Sequence, residues 1–332
     1  MGMKSKNLIV FDMDGVIVDV SASYRDVVRH TAALFFAPAQ GSANLPDPLF
    51  DLANLAVVKQ SGGLNNDWDL TYLVIKLLFS QVKMPAVRAI RDPWDRYRDN
   101  IRRCDAAPLA AFLRSAEKPL AALLEQHGKL ENEFIKSLHE GDVGSGNIIK
   151  QIFQEVYLGA DLFRSTYKQE PAVYRGDGFI LKERLMMDRS LLAELSAGNI
   201  LAVATGRPRA EAEYPLQHFE LDHYFSKLVS LDDCLREEDR IMAQEGRSVS
   251  LSKPHPFMLD AIAEALGQKF ACCYYVGDMP DDMLAAARSA TGYKGVGLLL
   301  AAPDRESLKL QMTRAGADYI VESFDALKQI IL

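Results

Sequence analysis

The stretch NLIVFDMDGVIVDV, residues 7–20, decides how the rest of the chain is read. Its run LIVF, 8–11, is apolar at every position, as a strand buried on both faces of a parallel sheet must be. The run stops at Asp12 and Asp14, with Gly15 directly after them. Two like charges at the mouth of a buried strand repel each other unless a cation is shared between them.

Working outward, the same apolar pattern returns only in the far part of the chain, as ILAVA (200–204), KLVSL (227–231), CCYYVG (272–277), KGVGLLL (294–300) and DYIV (318–321). Helical stretches such as PHPFMLDAIAEALG (254–267) lie between them, with proline near the start and glycine at the end. Strands alternating with helices of this length predict an α/β fold, a doubly wound parallel sheet. In such a sheet ligands bind beyond the carboxyl ends of the strands, so the residues just after each apolar run are where chemistry is to be sought.

Residues from about 20 to 190 differ, being rich in helical periodicity and poor in strands. A helix starting near Asn66 carries Leu70, Leu73, Val74, Leu77 and Leu78 on one stripe. A second runs through PLAAFLRSAEKPLAALLEQHG (108–128), kinked or divided at Pro119. The expected organisation is a core of 1–20 and 191–332, with a large helical cap, 21–190, inserted after the first strand. The six arginines of RAIRDPWDRYRDNIRR (88–103) read as a solvated helix face with i, i+4 pairs Asp92–Arg96 and Asp99–Arg103.

At the strand ends, Thr205-Gly206-Arg207 follows ILAVA, Lys253 precedes the helix at 254, and Asp278-Met279-Pro280-Asp281-Asp282 follows CCYYVG. Clustered carboxylates call for a hard cation with oxygen ligands, which Mg2+ answers. The six histidines are scattered and none adjoins the aspartates of these motifs, against zinc or a histidine nucleophile. A carboxylate nucleophile, a second carboxyl group as acid and base, a metal, a lysine and a hydroxyl together suit phosphoryl transfer through an aspartyl phosphate.

The four motifs in this order, FDMDG, ATGRP, SKPHP and GDMPDD, resemble the haloacid dehalogenase superfamily, and the helical insertion is similar to its capped subfamily I. The resemblance implies a Rossmann-like core and a Mg2+-dependent phosphatase acting on a small phosphate monoester. It implies Asp12 as nucleophile and Asp14 as general acid and base, both also beside the metal, the latter through its main-chain carbonyl. It implies Thr205 on a phosphoryl oxygen, Lys253 offsetting charge, Asp278 as a metal ligand and Asp282 supporting the metal site. An aspartate at the second position separates ester hydrolysis from the superfamily's dehalogenases and phosphonate hydrolases. A phosphomutase, or a binding protein retaining the fold without turnover, are the alternatives.

Substrate contacts are expected from Gly206 and Arg207 in ATGRP, from Lys59, Asn66 and Asp67 in KQSGGLNNDWDLTY (59–72), and from Arg175 in YRGDGF (174–179). Against this, Asn66 or Asp67 can cap the helix that follows, and Arg207 can pair with Glu211 on a helix surface. The net charge of -7 opposes binding to nucleic acid or anionic lipid. No apolar run reaches the roughly 20 residues a membrane span needs, and no signal-peptide pattern opens the chain, so a cytoplasmic protein is expected. Cys104, Cys234, Cys272 and Cys273 form no CxxC pair and read as reduced core thiols.

Overall fold

The computed structural model describes residues 5–55, 58, 66–127, 131–302 and 304–332. The chain packs as two compact units, Met1–Asp19 with Arg184–Leu332, and Val20–Glu183.

The first unit holds a six-stranded sheet ordered β5-β4-β1-β6-β7-β8. Its strands are β1 Leu8–Phe11, β4 Ile200–Ala204, β5 Phe225–Val229, β6 Cys273–Gly277, β7 Lys294–Leu298 and β8 Tyr319–Val321. Every pairing is parallel, with Leu8 level with both Ile200 and Cys273, and Phe11 level with Val203 and Val276. β1 is central and all four of its residues are buried, which is why its run is apolar throughout. On one face Leu8, Val10, Ala202 and Tyr275 pack with Met258, Leu259 and Ile262 of the helix Phe257–Leu266. The chain moves from β1 out through β4 to β5, then returns to the other side of β1 for β6, β7 and β8. The strand order therefore reverses between β1 and β6, and the crevice at their carboxyl ends is where a doubly wound sheet binds its ligand.

Several boundaries differ from the sequence expectation, two of them by enough to change the reading of the chain. The fifth strand is Phe225–Val229 rather than 227–231, because Ser230 ends it. The Asp233 carboxylate accepts from both the Ser230 N–H (2.8 Å) and hydroxyl (3.0 Å) and opens the helix Leu231–Glu245. In addition, β2 Val18–Asp19 pairs antiparallel with β3 Arg184–Leu185. This ribbon brings the chain back to the first unit at 184, ahead of the expected 191. Two-residue strands are too short to leave a periodic pattern.

Among its described residues the second unit is mainly helical, with irregular stretches between its helices and no strand. Its helices are Tyr24–Phe36, Asp67–Phe79, Pro93–Ile101, Ala107–Ser115, Pro119–His127, Glu133–Ser137 and Ile148–Tyr167. Pro119 opens a new helix, so the 108–128 stretch is divided rather than kinked. The two expected arginine pairs are not formed. Asp92 instead caps the helix Pro93–Ile101, accepting from the Asp95 N–H at 2.9 Å, and Arg96 donates to the Ser137 carbonyl. Asp99 pairs with Arg88 at 3.2 Å, while Arg103, past the helix end, donates to the Ala86 carbonyl. A residue outside the helix loses the i, i+4 geometry.

The helix Ile148–Tyr167 is broken at Gly159, whose φ is 73°. A Cβ there would lie 2.2 Å from the Gly178 nitrogen, so only glycine admits the segment running alongside. That segment is tied down by the buried Glu155 carboxylate, which accepts the N–H groups of Ala172 (2.8 Å), Val173 (2.8 Å) and Tyr174 (3.0 Å). All four cysteines are free thiols. Among the described residues no helix is long and apolar enough to cross a membrane.

Candidate active site

The motif residues at the strand ends all belong to the first unit. Asp12 continues the β1 ladder by one residue, its N–H donating to the Val276 carbonyl at 2.8 Å. The chain then turns sharply, with Gly15 N–H on the Val18 carbonyl at 2.9 Å. Gly15 has φ +71°, and a Cβ at that position would stand 2.1 Å from Asp278 Oδ2. Only glycine lets the turn lie against the carboxylate that follows β6.

Lys253 bridges two carboxylates, with Nζ 2.9 Å from Asp12 Oδ1 and 2.8 Å from Asp282 Oδ1. Asp282 is fully buried and bonded at both oxygens, since Tyr275 Oη donates to Oδ1 at 2.9 Å and the Met279 N–H to Oδ2 at 3.0 Å. Asp12, Asp278 and Asp282 each place an oxygen within 4.8 Å of the others. Burial, with help from Asp282 and Asp14, pushes the Asp12 carboxyl up to about 7 against the pull of Lys253. Burial, then Asp12 and Asp282, lifts Asp278 well above the usual carboxylate range. Burial works against the Lys253 ammonium, yet Asp12 and Asp282 outweigh it and hold the group well above its ordinary value.

Three close carboxylates against one lysine leave an excess of negative charge in a site where charge is poorly solvated. An all-oxygen donor set of this kind fits a hard divalent cation such as Mg2+. Asp282 accepts three hydrogen bonds within the protein, more than Asp12 or Asp278, which are therefore the carboxylates with the most capacity left for a metal. The Asp14 carboxylate stands outside this trio.

Asp14 instead faces Arg207. The guanidinium donates Nε to Asp14 Oδ1 at 2.8 Å and Nη2 to the same oxygen. Its Nη1 donates to the Glu211 main-chain carbonyl at 3.1 Å. The Arg207 side chain is only 1% exposed, so it is not the surface residue that the Glu211 alternative supposes. Thr205 is buried after β4, its Oγ1 accepting the Arg207 N–H at 3.2 Å. Gly206 is exposed, and a Cβ on it would meet nothing within 4 Å.

The structure thus brings Asp12, Lys253, Asp278 and Asp282 into one cluster and joins Asp14, Arg207 and Thr205 beside β1 and β4. The remaining substrate candidates lie in the second unit. Asn66 caps the helix Asp67–Phe79, accepting the Asp69 N–H at 2.7 Å and donating to Asp69 Oδ2 at 2.6 Å. Asp67 is the first residue of that helix, and its carbonyl accepts from Thr71 Oγ1. Arg175 is exposed, and Lys59 lies outside the described residues. Tyr275 was not foreseen: in CCYYVG it reads only as a strand residue, and nothing local announces its hydroxyl on Asp282.

The family model for haloacid dehalogenase-like hydrolases matches residues 6–289. A phosphoglycolate phosphatase of Haemophilus influenzae (strain 86-028NP) is 27% identical over 134 residues, 40% of this chain and 50% of that protein. The chain thus spans about half the length of the curated relative it matches. An X-ray structure from the Northeast Structural Genomics Consortium has a TM-score of 0.68 at 20% identity, covering 98% of each chain. Phosphatase Tt82 from Thermococcus thioreducens has a TM-score of 0.51 at 18% identity, covering 93% of this chain and 98% of its own. At these identities the two structures speak for the fold alone.

Proposed function

The chain belongs to the haloacid dehalogenase-like hydrolases, and from that premise we propose that it is a Mg2+-dependent phosphatase cleaving a small phosphate monoester through an aspartyl phosphate on Asp12. The observation that carries this reading is the division of the two aspartates after β1 between different partners, Asp12 on Lys253 and Asp14 on Arg207. Carboxylates in distinct environments take distinct roles.

An Asp12 oxygen attacks phosphorus and the bond from phosphorus to the ester oxygen breaks. Asp14 supplies the proton that the departing alkoxide needs. Water then attacks the phosphoryl group and gives a proton to Asp14, and the bond from Asp12 to phosphorus breaks, releasing phosphate and restoring both carboxyl groups. Lys253 orients Asp12 and favours its charged form against the pull of burial, and the Thr205 hydroxyl has its proton available for a phosphoryl oxygen. Mg2+ held by Asp12 and Asp278 would supply charge stabilisation for the transferring group.

The name of the Haemophilus influenzae relative makes 2-phosphoglycolate the first ester to try. The test is phosphate release, with Mg2+, from a panel of sugar, nucleotide, amino-alcohol and glycolate phosphates. Release from at least one member is expected. Silence across the panel overturns the phosphatase reading, and interconversion of sugar phosphates without free phosphate replaces it with a mutase.

A further inference from the structure

Arg207 is built into its place from every side. Its N–H donates to Thr205 Oγ1 at 3.2 Å, its carbonyl accepts the Leu231 N–H at 3.0 Å, and its guanidinium spans Asp14 and the Glu211 carbonyl. Both bonds to Asp14 end on Oδ1. Among the described residues no other side chain or N–H bonds the Asp14 carboxylate, and the Asp14 side chain stays 35% exposed. A guanidinium buried and engaged in this way is poorly placed to clamp an incoming anion, but well placed to hold one rotamer of its neighbour.

We propose that Arg207 is a positioning residue for proton transfer: by seizing Asp14 Oδ1 it leaves Oδ2 as the oxygen that hands the proton to the leaving alkoxide. The inference rests on the phosphatase reading and deepens it. When the ester bond breaks, the proton passes from Oδ2 to the alkoxide oxygen and the Asp14 carboxylate remains, still paired with Arg207. A leaving group that departs readily as an anion needs no such proton. Loss of Arg207 therefore harms alkyl esters selectively, whereas a purely structural role would harm all esters alike.

The experiment compares wild type, Arg207→Met and Arg207→Lys on two esters, p-nitrophenyl phosphate and the fastest alkyl phosphate of the panel. The parameter is kcat/KM, which reports steps up to formation of the aspartyl phosphate and so excludes its later hydrolysis. A positioned general acid is worth about 10²-fold or more, so Arg207→Met should lose about that factor on the alkyl ester and under about tenfold on the aryl ester. Arg207→Lys, which keeps the charge without the fork, should show the same selectivity to a smaller degree and covers the case in which the methionine variant does not fold. Equal losses on both esters, or none, in the folded variants overturn the inference and leave the phosphatase reading standing. A wild type inactive on both esters and on the whole panel overturns the phosphatase reading, and the inference with it.

Discussion

Asp12 is the residue on which the chemistry is expected to turn. Asp12→Asn keeps the size and removes the nucleophilic charge, so phosphate release should fall roughly 10³-fold or more, read on any ester the wild type accepts. Full activity in that variant would place the nucleophile elsewhere. Residue by residue, the sequence carried unequal information. Asp12, Thr205 and Asp278 stand one position past an apolar run, and an apolar run is visible without knowing its neighbours. The partners of Asp14 and Asp282 were not visible. Arg207 meets Asp14 across 193 positions, and Tyr275 turns a phenol onto Asp282 from within a strand that looks uniformly buried. Such pairings depend on which side of a strand faces which helix, a relation that spacing along the chain does not encode.

Two elements carry the tightest steric conditions. In the turn after β1, Gly15→Ala forces a left-handed residue to bear a side chain, a cost of about 1–2 kcal/mol, and drives its Cβ toward Asp278 Oδ2. Urea unfolding should record the loss of stability, and phosphate release should fall as well, because Asp278 must shift. In the helix Ile148–Tyr167, Glu155→Ala would strand three backbone N–H groups that now share one buried carboxylate. The expected destabilisation is roughly 3 kcal/mol, measured by the same unfolding. An unchanged midpoint would mean those donors find other partners. The helix Asp67–Phe79 was legible from its stripe and its Asn66 cap, whereas the break at Gly159 was not, because its reason is the backbone of Gly178 on another segment.

For the whole molecule, the acidic cluster ties stability to pH and to divalent cation. In the folded chain burial raises Asp12 from its ordinary 3.8 to about 7. The folded state therefore holds that proton more tightly than the unfolded one. The contribution is complete below about 4 and is lost as the pH climbs through about 7. In EDTA the Tm should fall between pH 5 and pH 8, with Asp278 pushing in the same direction. Added Mg2+ should reverse the fall, since a ligand at about 100 times its Kd adds about 2.7 kcal/mol, and its effect should be larger at pH 8 than at pH 5. A Tm indifferent to Mg2+ at both pH values would count against a metal held by these carboxylates.

The sequence by itself determined the α/β class, the runs that become the central strands, the helical character of the long insertion, and the place of each acidic motif at a strand end. All of these rest on local properties, the burial written in apolar runs and the period of helical stripes. Tertiary structure alone decided that β6 lies beside β1, that Lys253 bridges Asp12 and Asp282, and that Arg207 takes Asp14 rather than a surface partner. Those outcomes come from packing distant segments at one sheet edge, where charge and space are settled among neighbours in three dimensions.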